Sequence, residues 1–527
     1  MISRIRRLYH TLKPLQFRQL TYQLLYRLNK AKPLGSYHGT VDPLNVHFLT
    51  FKEQPPVYRH MLSERHFSFL NLEVKYEDEV DWNDQRHGKL WNYNLQYANY
   101  LFQDDIGNNV KSRLLHSLYD SLYRQKLELE PYPVSLRAIN VMRWYSQHRT
   151  EDPYLLKAVH AELDFLSKRP EYHILGNHLL ENAFALMMGG AFFAEPAWLA
   201  QGQELLEQEL EEQILADGAH FELSPMYHQI IFFRLLEFID WYSGWQGQSA
   251  GFLATIVSKA SAMKSWLEKI SFQNGDIPHF SDSADGIAYS SARLNRYADQ
   301  LRIPNADLSL SASGYRSVQK GDYECKVDFA QVGPSYQPGH AHADALSFIL
   351  YHQLEPLFVE RGTSTYQVGQ IRHEERSTPA HNTVVVNGAN QSHIWGGFRV
   401  AERAEVTITA DSENEIAAVH QGYQKFGVKH HRRMRFLETS VIIFDDVQGN
   451  SRALKEFHLH LVPGLDFTIH EKKIRIENKA KLTFDQALHI RMEDYQMACG
   501  FNRYRDAKKI VVTFAETLTT TITFAPF

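Results

Sequence analysis

The chain has 527 residues, 44% of them hydrophobic and 22% charged, with a net charge of −5 at neutral pH. That length exceeds one compact core and predicts two domains, and the mildly acidic balance excludes nucleic acid as a partner held by a dominant basic field. Cys325 and Cys499 are the only cysteines, too few for a disulfide framework and in keeping with a reducing compartment or a chain that needs no bridges.

The first segment, residues 1–40, is basic. No acidic residue precedes Asp42, whereas Arg4, Arg6, Arg7, Lys13, Arg18, Arg27, Lys30 and Lys32 do. Ile2, Ile5, Leu8 and Leu12 fall on one helical face. Such a helix either lies on an anionic membrane surface or docks on the body of the protein. No secretion-signal core and no membrane-spanning apolar run is present. The expectation is a cytoplasmic protein whose N-terminal segment leaves peripheral inner-membrane association open.

Residues 41–310 read as helical. Asn109 to Gln125, Ser135 to His148, Asp152 to Leu166, Leu175 to Phe193, Trp198 to Ile214, Met226 to Trp245 and Phe252 to Ile270 all carry apolar residues at helical spacing. Short breaks such as Arg169-Pro170 and Ala216-Asp217-Gly218 separate them. An (α/α) toroid fits this pattern, as does a bundle. Residues 311–527 change to short β-branched runs: Val406 to Thr409, Ser440 to Phe444, Lys473 to Ile476, Ile510 to Phe514 and Leu518 to Phe524. These predict an antiparallel β-sandwich. Helices first and strands second make the class α+β.

Polar clusters interrupt both halves. Arg137 opens a helix after Pro131-Tyr132-Pro133, where it can meet an acidic substrate or an acidic neighbour. Asn177, His178, Glu181 and Asn182 crowd one helix start, more than a cap requires. Ser224-Pro225 starts another helix and puts Tyr227 in its first turn, where backbone dipoles favour a phenolate. In Gly339-His340-Ala341-His342-Ala343-Asp344, a strand directs His340 and His342 to one face. Glu360 and His381 follow. Two histidines and a carboxylate suit a borderline metal such as zinc, leaving the other histidine for chemistry; a pair of surface histidines gives the same spacing.

Taken together, five of these segments, in order, resemble the heparinase II/III family of polysaccharide lyases. They are Pro131 to Arg137, Asn177 to Asn182, Asp217 to His228, Gly339 to Asp344 and Ala380 to Thr383. The resemblance implies a helical toroid, antiparallel sheets, a cleft between them and β-elimination on a uronic acid. It assigns Asn177 and His178 to the substrate carboxyl group, Tyr227 to the acid with the base role open to it too, and His340 to a second base position. Glu181 would orient its neighbours, with Arg137 and His228 as further substrate contacts. It implies a divalent metal, zinc, in a mainly structural role on His342, Glu360 and His381; the family usually has Asp at Glu360. Tyr366, Arg372 and Trp395, on the loops that follow, are expected to touch an anionic polysaccharide or oligosaccharide. A chain with this basic start is similar to members that accompany bacterial exopolysaccharide or capsule synthesis. Two alternatives stay open: a glycoside hydrolase using Glu181, Asp217, Glu222, Asp282 or Asp285, and a non-catalytic glycan-binding protein.

Overall fold

The computed structural model describes residues 2–37, 45–53, 58–149 and 151–525, with side chains from residue 5 onward. Residues 38–40 of the basic segment, and the side chain of Ile2, lie outside the described residues. Two helices, α1 (Ile2–Leu12) and α2 (Phe17–Leu28), come first. A small antiparallel sheet of β1 (Met61–Ser63), β2 (His66–Phe69) and β3 (Leu72–Lys75) precedes the helical half.

That half comprises α3 (Lys89–Gln96), α4 (Asn108–Tyr123), α5 (Pro131–His148), α6 (Pro153–Lys168), α7 (Gly176–Phe192), α8 (Pro196–Gln213), α9 (Pro225–Gly244), α10 (Ala250–Ile270) and α11 (Ser291–Gln300). The seven helices read from periodicity are all present. Their starts are set by local chemistry: α6 has Asp152 accepting from Leu155 N at 3.1 Å, with Pro153 next, and α9 has Ser224 before Pro225. Helix α7 is buried on nearly every side, and from Ala183 onward it carries no polar side chain, so that stretch must be covered all round. It meets α8 at backbone distance. A Cβ on Gly190 would stand 2.5 Å from Leu199 N, and one on Gly202 2.6 Å from Met187 N.

The second half begins at β4 (Tyr315–Lys320) and continues through β5 (Tyr323–Asp328), β6 (Ser347–His352) and β7 (Glu355–Val359). After α12 (Gln370–Glu375) come β8 (Val384–Val386), the short pair β9 (Ile394–Trp395) and β10 (Arg399–Val400), β11 (Val406–Ser412), β12 (Glu415–His420), β13 (Val428–Leu437), β14 (Ser440–Gly449) and β15 (Lys455–Leu461). Last are β16 (Phe467–His470), β17 (Lys473–Ile476), β18 (Ala480–Ala498) and β19 (Tyr504–Phe524). Fourteen of these strands form one hydrogen-bonded sheet, ordered β11-β12-β13-β14-β19-β15-β7-β6-β5-β4 along its main path. The helical half followed by an antiparallel half is as expected. Ile510 to Phe514 and Leu518 to Phe524, read as two strands, are one. β19 changes partner along its length, pairing β15 up to Phe514 and β14 from Thr517, without a turn between.

Strand β6 joins the two cores. Phe348 and Leu350 face the sheet's own core, and Ile349 and Tyr351 face the helical core. A strand buried on both faces reads as a continuous apolar run, and Phe348-Ile349-Leu350-Tyr351 is one.

Candidate active site

The segment 339–346 is a loop; β6 starts only at Ser347. Its backbone groups are satisfied off the ladder: Ala343 N donates to Arg376 O at 3.0 Å, and Arg376 Nη2 donates to Ala341 O at 2.9 Å. The strand argument for His340 and His342 therefore fails, yet both reach one group, Asp282. His340 Nδ1 lies 2.9 Å from Asp282 Oδ2, and His342 Nε2 lies 2.8 Å from Oδ1. Arg372 clamps the same carboxylate with two guanidinium nitrogens, one of them at 2.6 Å. Burial alone would raise the Asp282 pKa. Arg372, then the bonds from His340 and His342, outweigh burial and hold it well below the usual carboxylate range.

The helical half supplies the opposite wall. The Tyr227 ring stacks on His340, centroids 3.8 Å apart. Ser224 caps its helix and donates to Asp282 O at 2.7 Å, tying that first turn to the same anchor. Burial, then the neighbouring Tyr366, Asp282 and Glu222, push the Tyr227 pKa well above its usual value. The helix start therefore does not yield a phenolate here: burial and nearby negative charge outweigh the backbone dipoles, and the group is a proton-bearing phenol.

Asn177 is buried. Its Nδ2 contacts both oxygens of Glu222 at 2.9 Å, and Glu222 Oε2 is 3.7 Å from His340 Nε2. Gly176, at φ +61°, leaves the space for this contact; a Cβ there would sit 2.7 Å from Glu222 Oε1. His178 stacks on Tyr132, centroids 4.2 Å apart, and its Nδ1 is 3.0 Å from Glu171 Oε1. Burial works against its charge, but Glu171, and then Glu222 and Glu181, outweigh burial and hold its pKa above the usual range. Glu171 is braced by Asn182, which donates to it at 3.2 Å and accepts from its backbone N–H at 2.8 Å. The loops carrying this set each contain a non-glycine residue in the left-handed region: Leu175 (φ 67°), Leu223 (55°), Ser281 (52°) and Leu346 (62°). Such backbone strain persists where surrounding packing over-determines it.

A second cluster lies behind Asp282. Ligand atoms of His342, Asp344 and His381 fall within 4.8 Å of one another. His342 Nδ1 and His381 Nε2 are buried without a hydrogen-bond partner among the described residues, as is Glu360 Oε1. Two orphaned imidazole nitrogens beside a carboxylate fit a zinc-like divalent cation. The carboxylate in that group is Asp344, which the spacing argument overlooked. Glu360 stands one bond further out, its Oε2 2.5 Å from His381 Nδ1, where it orients the ring. The longer glutamate arm reaches the imidazole instead of converging with the other ligand atoms. Burial lowers the His342 pKa to about 3.

Other expected contacts take different positions. Arg137 is buried, its Nε 2.9 Å from Glu162 Oε1, so its charge meets an acidic neighbour and not a substrate. His228 is buried between His220 N and Met263 O; burial lowers its pKa to about 3, and it is a neutral core residue. Arg372 is buried against Asp282 and acts through that carboxylate. Trp395 donates from Nε1 to Thr11 Oγ1 at 3.1 Å and carries Arg7 over its ring, so it docks α1. Tyr366 is partly exposed, with its ring 5.9 Å from His340. Glu181 lies beneath, 2.8 Å from Arg234 Nε.

The hydrolase alternative finds little to use. Asp282 is clamped by Arg372 and Glu181 by Arg234. Asp217 Oδ2 accepts from Ser311 N, Ser313 N and Ser313 Oγ, and Asp285 pairs with His279. Glu222 is held at both oxygens by Asn177 Nδ2, and a glycosidase pair needs two carboxyl groups.

Family models match residues 148–305 as the heparinase II/III N-terminus and residues 302–525 as heparinase II/III-like, C-terminal. The chain belongs to the heparinase II/III family. It is 25% identical to a heparin-sulfate lyase of Bacteroides stercoris over 326 residues, covering 56% of this chain and 47% of that one. It is 26% identical to a heparin-sulfate lyase of Pedobacter heparinus over 272 residues, 45% and 39% of the two. The chain thus spans less than half the length of these relatives. Among solved structures, a heparinase III has TM-score 0.67 at 16% identity, over 93% of this chain and 88% of that one. A chondroitin AC lyase of Streptomyces coelicolor A3 in complex with chondroitin sulphate has TM-score 0.53 at 11% identity, over 82% and 74%. These likenesses show a shared fold, the helical toroid followed by antiparallel sheet.

Proposed function

We propose that the protein is a polysaccharide lyase that cleaves an anionic, uronate-containing glycan by β-elimination. The observation that carries this reading is the stack of Tyr227 on His340, centroids 3.8 Å apart, facing Asn177 and His178 across Glu222. Elimination breaks the C5–H and C4–O bonds and forms a C4=C5 double bond. His178, whose positive form is favoured by Glu171, and the Asn177 amide offset the charge of the uronate carboxyl group, so that the C5 proton becomes acidic. His340, fixed at Nδ1 by Asp282, accepts that proton at Nε2. Tyr227 bears a proton at neutral pH and delivers it to the leaving C4 oxygen. The named activity of the heparin-sulfate lyase relatives supports an anionic glycosaminoglycan-like substrate.

A divalent cation, zinc by its donor set, would be held by His342, Asp344 and His381, with Glu360 orienting His381. Bound there, it supplies charge compensation that braces the loop carrying His340. The setting we propose is a glycan handled at the inner face of a membrane, in exopolysaccharide or capsule production; the basic N-terminal segment supports it. Fractionation that recovers the protein only outside the cytoplasm refutes that setting.

The test of the reaction is ultraviolet absorbance of the unsaturated uronate during incubation with a panel of uronate polysaccharides. Absorbance rises with the unaltered protein and stays flat with Tyr227→Phe and with His340→Ala. New reducing ends without absorbance would mean hydrolysis and would overturn the reading.

A further inference from the structure

The first two helices are attached to the body by their polar faces. On α1, Arg6 pairs with Glu402, His10 lies 3.5 Å from the same carboxylate, and Arg7 and Thr11 hold Trp395. The opposite face is Ile5, Leu8, Tyr9 and Leu12, between 42% and 62% exposed. Helix α2 repeats the arrangement. Gln19 donates to Ile174 O at 3.1 Å, Tyr26 donates to Pro170 O at 2.8 Å, and Tyr22 packs on Tyr172. Its outward stripe is Phe17, Leu20, Leu24 and Leu28, between 41% and 84% exposed. A surface helix of a soluble protein turns its apolar stripe to the core; here both helices do the reverse, and contiguous exposed apolar surface marks an interaction site.

Charge selects the partner. Lys13, Arg27, Lys30 and Lys32 are exposed and have no carboxylate partner among the described residues, and the first 41 residues hold no acid at all. A second copy of the chain would bring like charges together across a twofold interface. A soluble polyanion would satisfy the cations and leave the apolar stripes in water. An anionic bilayer satisfies both, with acyl chains for the stripes and headgroups for the flanking cations. Among the described residues no helix is long and apolar enough to cross a membrane, so the mode is interfacial.

The docking points give this surface its place. Pro170, Tyr172 and Ile174 flank Glu171, the partner of His178. Trp395 and Glu402 flank Gly397, whose carbonyl accepts from Arg372 Nε at 3.1 Å, and Phe398, whose ring is 5.9 Å from His340. We infer that the outward faces of α1 and α2 form a contact surface for an anionic lipid bilayer, mounted on the two loops that position His178 and His340. This deepens the membrane setting proposed above and does not depend on the reaction.

The test is co-sedimentation of the full chain with phosphatidylcholine vesicles, with and without phosphatidylglycerol, beside a Leu8→Glu/Leu24→Glu variant. The unaltered protein binds the anionic vesicles at least about tenfold more tightly than the neutral ones, and added salt weakens that binding. The variant loses at least about tenfold in vesicle affinity, while its melting temperature and its rate on soluble glycan in vesicle-free buffer stay unchanged. Absence of binding to anionic vesicles, equal binding by the variant, or a dimer that these substitutions dissolve each overturns the inference. Elimination on soluble glycan by a protein that ignores vesicles would refute this surface and leave the lyase reading standing.

Discussion

Replacing Asp282 by Asn tests whether one carboxylate organises both His340, the proposed base, and the His342–Asp344–His381 cluster. The Arg372 guanidinium and the Asp282 carboxylate are both fully shielded from solvent. Removing one partner of a buried ion pair leaves the other charge uncompensated, at a cost of about 3–5 kcal/mol. That is a large share of the roughly 5–15 kcal/mol that holds a domain folded. Chemistry falls separately, because His340 loses the acceptor that fixes its Nδ1; misorienting an acid–base imidazole costs about 10²–10⁴ in rate. The two effects are separable. In Asp282→Asn/Arg372→Met the buried cation is gone too, so about 2 kcal/mol or more of stability returns while activity stays low. Urea unfolding reads the first quantity and initial elimination rate the second. A single substitution that loses under about 1 kcal/mol, or a double variant no more stable than the single, would refute the reasoning.

Tyr227→Phe should lower kcat by about 10²–10⁴ with the unfolding midpoint unchanged; a comparable loss of stability would make Tyr227 a packing residue. Asp344→Asn should empty the cation cluster as read by elemental analysis, whereas Glu360→Gln should keep the metal with roughly 10–100-fold weaker affinity; the reverse order would restore Glu360 as the direct ligand. Arg137→Met should destabilise the protein by about 3–5 kcal/mol, through Glu162 left unpaired, with KM unaltered; a rise in KM at constant stability would return Arg137 to the substrate. His220 and His228 are held neutral by burial, with pKa values lowered to about 4 and about 3. Their folded values lie below the unfolded value, so their contribution is fully present above the unfolded pKa of about 6.5 and is lost as pH falls toward 4. Together they should cost about 3 kcal/mol between pH 6.5 and 5, and His220→Gln should flatten the pH slope of the urea midpoint.

The helical half was legible because its signal is local. Period and caps placed all seven predicted helices, but α1 and α2 show the limit of periodicity. The stripe on Ile5, Leu8 and Leu12 correctly marks an amphipathic helix, yet nothing in the period says that the polar face docks. The loop at 339–346 was misread as strand because alternating Ala and His mimics a period of two. Taken one step further, that same alternation would have added Asp344 to His342, the carboxylate that the structure brings beside His342 and His381.

The anchors were not legible, for a physical reason. Asp282 lies 58 residues from His340 and 90 from Arg372 in sequence, and it stands among other acids in Ser281-Asp282-Ser283-Ala284-Asp285 without a pattern of its own. Its importance arises only where two cores meet. The Ser224 hydroxyl donates to its carbonyl from the helical half, its N–H donates to His340 O, and its carboxylate receives Arg372 from the sheet half. Tyr227 comes from a helix start, His340 from a loop before β6, and neither half holds both. The proposed proton-transfer pair therefore exists only while the two halves stay docked, and Asp282 is the residue through which that docking and the proposed chemistry become one requirement.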